Sequence, residues 1–418
     1  MNARQFQQHQ GHFWRRQAYQ IKGGGLTVLL QKCLMALRLA FALPIVMIMR
    51  ALRPLVLVRF GTLVSHQIGP FAGHTQMYLC ERDAGLHPRR TIDIFHHSYR
   101  ISNQQLKTMW DRTLHIYSFV RPLYLANNLL PGGKSHVIPL PTEEDLHSVV
   151  PRSRVHLSFT AEEESLGQAG LLALGLPEGA PFVCVYGRDP AYKPRFYPNH
   201  DDGKHDYRNS SIHNYMPAAE ELARRGYFVI RMGAAVNEAL RTANPMIIDY
   251  ATRARSDFMD IFLCAKCRFI LGCTGGLVCV PKLFRRPVII ANSVPLWTED
   301  LHACNPGRLV IPKKLWLHEE GRFLTFREGL RPGSYRYSAK EFYEQMGAEV
   351  IENTPEEIIA VAVEMDERLK GTWQTTEEDK ELQQRFWSLL DIDVREPNEE
   401  YRPRMGAEFL RQNEALLV

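Results

Sequence analysis

The first eighty residues contain no aspartate or glutamate, against nine lysines and arginines at 4, 15, 16, 22, 32, 38, 50, 53 and 59. An acid-free, basic end excludes a solvated acidic tail and calls for an anionic partner. The remaining residues carry 42 basic and 46 acidic side chains, so the net charge of +5 belongs to one end of the chain. Because that end is also apolar, a lipid surface suits it better than nucleic acid, and no nucleic-acid partner is expected. The eight cysteines (33, 80, 184, 264, 267, 273, 279 and 304) have no disulfide-scaffold spacing, which excludes a small cystine-stapled secreted fold and points to a reducing compartment. No internal repeat is present, which excludes a solenoid or propeller. Within the apolar N-terminal segment the longest uncharged stretch, Leu39 to Met49, has eleven residues. A clean bilayer span needs about 20.

At 418 residues, 45% of them hydrophobic, the chain can form two ordinary cores. Leu26 to Met49 is rich in Leu, Ala, Ile, Val, Met and Phe, is interrupted by Lys32 and Arg38, and is divided by Pro44. At ~100° per residue, Lys32, Arg38, Arg50 and Arg53 share a sector of roughly 120° and leave a wide apolar face. That spacing predicts an interfacial helix pair kinked at Pro44. A buried hairpin, a transit peptide and a signal anchor share the same composition.

Leu55 to Phe60 reads as a buried parallel strand closed by a turn at Gly61, which puts Arg59, Gly61, His66 and His74 at or beyond its carboxyl end. Thr91 to Phe95 reads as a second short strand, with His96 and His97 at its end. The stretch from Pro131 to Pro181, with a helix from Ala161 to Leu174, reads as a domain boundary. Beyond it, strands at 182–186, 227–232, 246–249, 268–272 and 287–291 alternate with helices at 214–225, 256–264 and 277–284. Such alternation implies an α/β fold with a parallel, doubly wound sheet. The expected organisation is a membrane-associating segment (1–54), a first Rossmann-like domain (55–175), a second Rossmann-like domain (176–370) and C-terminal helices (371–418).

At Cys273-Thr274-Gly275-Gly276 a strand enters a helix through two glycines. Glycine admits close backbone approach, Thr274 offers a hydroxyl, and amides at a helix start suit phosphate. Neighbouring loops supply Arg188, Asp189, Tyr192, Tyr207, Arg208, Asn209 and Ser210, then Arg231 and Gly233, and the next segments supply Asp249, Ser256, Asp257 and Asp260. Arg188, Arg208 and Arg231 bring forked donors to a diphosphate, while the aspartates orient them or hold a ribose. A zinc site at Cys264, Cys267, Cys273 and Cys279 would distort the strand–turn–helix junction.

The segments FVCVYGRDPAY, DYRNSSIHNYMPAAEELARRGYFVIRMG, RSDFMDIFLCAKCRFILGCTGGLVCVPKLFRRPVIIAN and AEFLRQNEALL resemble glycosyltransferases of bacterial surface-carbohydrate clusters. More distantly they are similar to the heptosyltransferase group of the GT-B fold. The resemblance is dense from Phe182 to about Asn292 and thinner at LVRFGTLVSH. It implies two Rossmann-like domains facing across a cleft, the acceptor in the first (55–175) and the nucleotide-sugar in the second (176–370), with terminal helices returning to the first domain. The reaction expected is inverting, metal-independent transfer from the nucleotide-sugar to a glycan or lipid-linked hydroxyl. The general base is then expected at His66 or His74, Arg59 and Gly61 on the acceptor side, and Arg188 to Ser210, Arg231 to Asp260 and Thr274 to Gly276 on the donor side. The diphosphate loop of the heptosyltransferase pattern commonly has an acidic residue where this chain has Cys273. The sole Asp-x-Asp, Asp391-Ile392-Asp393, follows a helix rather than a sheet strand, so no metal and no separate cofactor are expected. The implied location is the cytoplasmic face of the inner membrane. A nucleotide-sugar epimerase is disfavoured because no Gly-x-Gly-x-x-Gly follows the first strand. A non-catalytic nucleotide-sugar-binding protein shares the fold.

Overall fold

The computed structural model describes residues 3–141, 145, 148–198, 203–296, 307–330, 340–390, 402 and 404–418, with side chains from residue 26 onward. The chain runs α1 (Ala3–Ala51), β1 (Leu57–Leu63), α2 (Ile68–Asp83), β2 (Thr91–His97), α3 (Gln104–Thr113), α4 (Val120–Leu129), α5 (Ala161–Ala173) and β3 (Phe182–Val185). There follow α6 (Tyr192–Phe196), α7 (Met216–Arg224), β4 (Phe228–Arg231), β5 (Ile247–Ile248), α8 (Tyr250–Arg253), α9 (Asp257–Lys266), β6 (Ile270–Gly272), α10 (Cys279–Leu283) and β7 (Val288–Ser293). The last part comprises β8 (Arg308–Pro312), β9 (Lys314–Leu317), β10 (Arg322–Phe323), α11 (Phe326–Gly329), α12 (Lys340–Gln345), β11 (Ala348–Ile351), α13 (Pro355–Lys370), α14 (Glu377–Leu389), β12 (Arg404–Met405) and α15 (Ala407–Gln412). Cys304 and the Asp391-Ile392-Asp393 sequence lie outside the described residues. Two compact units result, one of residues 1–63, 88–97 and 114–139, the other of 64–87, 98–113 and 140–418.

In the first unit β1 and β2 pair in parallel from Leu57 opposite Thr91 to Leu63 opposite His97. Gly61 is not the expected turn. It lies inside β1, where a Cβ would stand 2.4 Å from the Phe95 ring, so the strand continues because the residue is small. Arg59 likewise sits within the strand, 5% exposed and ion-paired at 2.6 Å with Asp93 on β2. Ala42 and Val46 of α1 share a core with Val58, Phe60, Val120 and Leu123. The expected kinked pair is one continuous helix through Pro44, held by buried contacts on both sides of the proline. Arg50 ties its end to α4 through Asn127 at 2.8–3.1 Å and the Pro131 carbonyl at 2.7 Å. By length and composition, Leu26–Ala51 is apolar enough to cross a membrane.

The second unit holds a seven-stranded sheet in the order β12-β8-β7-β6-β3-β4-β5, parallel at every pairing. Strands β3, β6, β7 and β8 are buried along their whole length, as continuous apolar runs require when both faces are covered. Ser256 caps α9 by accepting the Met259 amide, and Thr354 with Glu357 closes a capping box on α13. Phe386 of α14 and Phe409 of α15 join the core formed by α13 and the β7 and β8 strands. A three-stranded antiparallel sheet, β10-β9-β11, was not foreseen from sequence. The chain proceeds outward from β3 through β4 to β5, then returns to β6 beside β3 and proceeds the other way. The strand order therefore reverses between β3 and β6, where the carboxyl ends of neighbouring strands open a crevice.

Candidate active site

A cavity of about 1060 Å³ opens at this reversal, wholly within the second unit. Tyr186, Gly187 and Arg188 leave β3 on one side of it, and Thr274, Gly275 and Gly276 leave β6 on the other. The two loops are tied directly, because the Arg188 amide donates to the Cys273 sulfur at 3.1 Å. Cys273 is fully buried, and burial pushes its thiol up from the ordinary range. A neutral thiol therefore stands where the heptosyltransferase pattern has an acid.

The lining is basic. Among its described residues are Arg100, Arg188, Lys193, Lys204, Arg208 and Arg255, against Asp189, Asp257 and Asp260. Asp257 and Asp260 are already ion-paired with Arg255, at 3.0 and 2.8 Å. Burial raises Asp260 to about 6, and its other oxygen accepts from Tyr250 at 2.9 Å. Asp189 accepts the Ala191 and Asn237 amides at 2.9 and 3.1 Å. Arg188 donates to the His205 carbonyl and to Asn209 Oδ1, both at 2.8 Å, while burial and then the Arg208 charge lower its pKa. Arg208 Nε has no hydrogen-bond partner among the described residues. His205 is pushed down by burial and by four surrounding cations, and stays neutral. Beneath the loop that carries Arg208, buried Lys313 donates to the Tyr207 and Asn209 carbonyls at 3.1 and 2.6 Å.

The glycine turn serves packing as well as access. A Cβ on Gly276 would stand 2.8 Å from the Gly69 amide nitrogen of α2, and one on Gly275 would stand 2.9 Å from the Tyr186 ring. Gly276 opens a single turn of 3-10 helix leading into the five-residue α10, so the expected longer helix is interrupted at its start. The Thr274 hydroxyl oxygen accepts the Val294 amide at 3.1 Å.

Its neighbours among solved structures are glycosyltransferases. Escherichia coli ADP-heptose lipopolysaccharide heptosyltransferase II has a TM-score of 0.36 and 13% identity, over 69% of this chain and 98% of that one. A family 9 glycosyl transferase from Veillonella parvula gives 0.38 and 10%, over 62% and 86%. The iron-containing dodecameric glycosyltransferase TibC from enterotoxigenic E. coli gives 0.33 and 13%, over 61% and 65%. No protein-family model and no curated protein matches the chain.

Of the residues singled out from sequence, His66, His74, Arg188, Asp189, Tyr192, Tyr207, Arg208, Gly233, Asp257, Asp260, Thr274, Gly275 and Gly276 line the cavity. Asn209, Ser210 and Ser256 do not, but each supports a lining element. Asn209 holds Arg188, the Ser210 amide bonds the Arg188 carbonyl at 3.1 Å, and Ser256 caps α9. Arg231 and Asp249 require correction. Arg231 is 2% exposed and turned into an ion pair with Asp249 at 3.2 Å, so it offers nothing to a diphosphate. Arg59 and Gly61 belong to the first unit's strand and do not line the cavity. Residues that sequence reasoning missed include Arg100, His205 and Tyr197. Arg100 stacks over the Phe196 and Tyr197 rings at 5.3 and 5.1 Å, and Tyr197 donates to the His66 carbonyl. Nothing local in the sequence marks these contacts, which join positions about a hundred residues apart. Among the described residues no group of three or more His, Cys, Asp or Glu could hold a metal ion.

Proposed function

We propose that the protein is an inverting glycosyltransferase of GT-B type, moving a sugar from a nucleotide-sugar to a hydroxyl of a surface-glycan or lipid-linked acceptor. The observation that carries this reading is the basic cavity at the strand-order reversal, in which all three lining aspartates are already paired with arginine. Open α/β sheets bind ligands at such reversals, and about 1060 Å³ accommodates a large, phosphate-bearing substrate. Arg208 and Arg188 supply charge-assisted donors to the diphosphate as its bond to the anomeric carbon breaks. The leaving group departs with the bonding electron pair.

The acceptor proton goes to His66 in this scheme. Burial and the Arg100 charge lower its pKa, so it is neutral and able to accept. Its Nδ1 lies 3.0 Å from Ser98 Oγ, which fixes the ring and makes Nε2 the nitrogen to receive the proton in this scheme. His74, on α2 and also lining the cavity, is the second candidate for this role. The test is a thermal-shift screen of nucleoside diphosphates and their sugars, followed by donor hydrolysis and transfer assays on wild type, Gly275→Trp and Arg208→Ala. Ligand-dependent stabilisation and turnover, both reduced in the variants, are expected. Tight nucleotide binding without turnover on any acceptor would leave a binding protein and overturn the enzyme reading.

A further inference from the structure

Along α1 and the turn after it, nine exposed apolar residues run from Leu26 to Leu55 in steps of three or four, through Leu37, Phe41, Ile45 and Ile48. All nine are between 43% and 75% exposed. Leu29 and Met47 are exposed off this line. The mean step is about 3.6 residues, the period of a straight helix, so within α1 the stripe keeps to one face from Leu26 to Ile48, about 33 Å. A left-handed coiled coil would need a step of about 3.5, from which this stripe drifts by about 20° per heptad. Its steps of 4, 4 and 3 match a right-handed, eleven-residue repeat, so the period alone does not choose the occupant and the charge beside the stripe does. A flat, continuous apolar surface imposes no such drift.

The opposite face is already taken. Ala42 and Val46, with Leu39, Leu43 and Met49 beside them, pack on α4 and β1, and Arg50 bonds Asn127. A helix inserted across the hydrocarbon along its whole apolar length would have to strip residues 39–50 from the unit it anchors. Arg38 and Arg53 are exposed and flank the apolar line, where headgroups would meet them.

We infer that α1 lies in the plane of an anionic bilayer, with the Leu26-to-Leu55 stripe immersed at the headgroup boundary and the first unit held on its dorsal face. This deepens the sequence reading of residues 1–54 as membrane-facing and rests on it. Binding of the full chain to vesicles of phosphatidylcholine with and without phosphatidylglycerol tests it, with the triple variant Phe41→Asp, Ile45→Asp, Ile48→Asp compared. These side chains are exposed, so the variant is expected to fold, which an unchanged circular dichroism spectrum and melting temperature without lipid would verify. Expected are binding that rises with anionic lipid, a loss of at least tenfold in the variant, and release of wild type by alkaline carbonate. Nitroxide labels at Leu30→Cys, Ile45→Cys and Leu52→Cys, with Cys33 replaced, should report one common depth. A depth that changes steadily along the helix, or resistance to carbonate, would show a span and overturn the inference. So would wild type that ignores vesicles, or a variant that changes only the oligomeric state and thereby marks the stripe as a contact between copies. None of these outcomes bears on nucleotide binding, so the docking mode and the glycosyl-transfer reading fail separately.

Discussion

Replacing Arg208 with methionine should move stability and affinity in opposite directions. The Arg208 Nε is buried without a partner among the described residues, and the guanidinium adds to the positive field that already depresses Arg188. A buried donor left unsatisfied costs about 1–3 kcal/mol, so Arg208→Met, which keeps much of the side chain's length, should stabilise the ligand-free protein by about 1 kcal/mol. On the proposed function the same guanidinium is the group offered to the diphosphate. Hydrogen bonds to charged groups contribute about 1.5–3 kcal/mol, so the variant should bind a nucleoside diphosphate roughly 10- to 150-fold more weakly. Differential scanning calorimetry of the ligand-free protein and isothermal titration with a nucleoside diphosphate, on the same preparations, measure the two effects. A melting temperature below that of wild type would show that Arg208 stabilises its loop. Undiminished affinity would show that it does not face the ligand. Either result refutes the reasoning, because the argument requires a cation held at a cost to the empty protein and repaid only by an anion.

Gly276→Ala should cost about 1–3 kcal/mol by forcing the turn away from the Gly69 backbone, visible as a lower urea midpoint, and an unchanged midpoint would mean that the approach is loose. Lys313→Met leaves the Tyr207 and Asn209 carbonyls without their donor, so nucleotide affinity should fall even though Lys313 does not line the cavity; wild-type affinity would show that the loop holds itself. The base form of His66 is the neutral ring, which predominates above its pKa. Because that pKa lies below 6.5, the acid limb of kcat/KM should fall below pH 6.5, and Arg100→Gln should move it upward by removing a nearby positive charge. An acid limb that His66→Gln leaves in place would assign the proton transfer elsewhere, with His74 tested next.

The strands of the large sheet were legible where they are buried on both faces, since Phe182 to Val185 and Val288 to Ala291 are continuous apolar runs. The glycine turn was legible as a close approach, but the object approached was not. Sequence offers phosphate as one answer, and the structure adds the Gly69 backbone and the Tyr186 ring. Arg231 and Arg59 show the same limit from the other side. Strand position can be read from pattern, yet whether a charged side chain meets a ligand or a neighbouring carboxylate depends on Asp249 and Asp93, which only pairing brings near. The β9 to β11 sheet escaped because its strands are short, half-buried and interspersed with charge. Gly61 looked like a turn because nothing adjacent in sequence reveals the Phe95 ring above it.

Gly69 and Gly276 touch across more than two hundred residues of chain. A protein emerging from its amino terminus makes α2 early, and the face of α2 that carries Gly69 and Gln76 must then wait for the Gly276 turn and α10 before it is covered. The cavity is therefore one of the last things to exist during synthesis. A fragment beginning after residue 140 would carry the sheet but lack one wall of its site, and the nascent chain, with α2 uncovered in the interval, is a natural client for a chaperone.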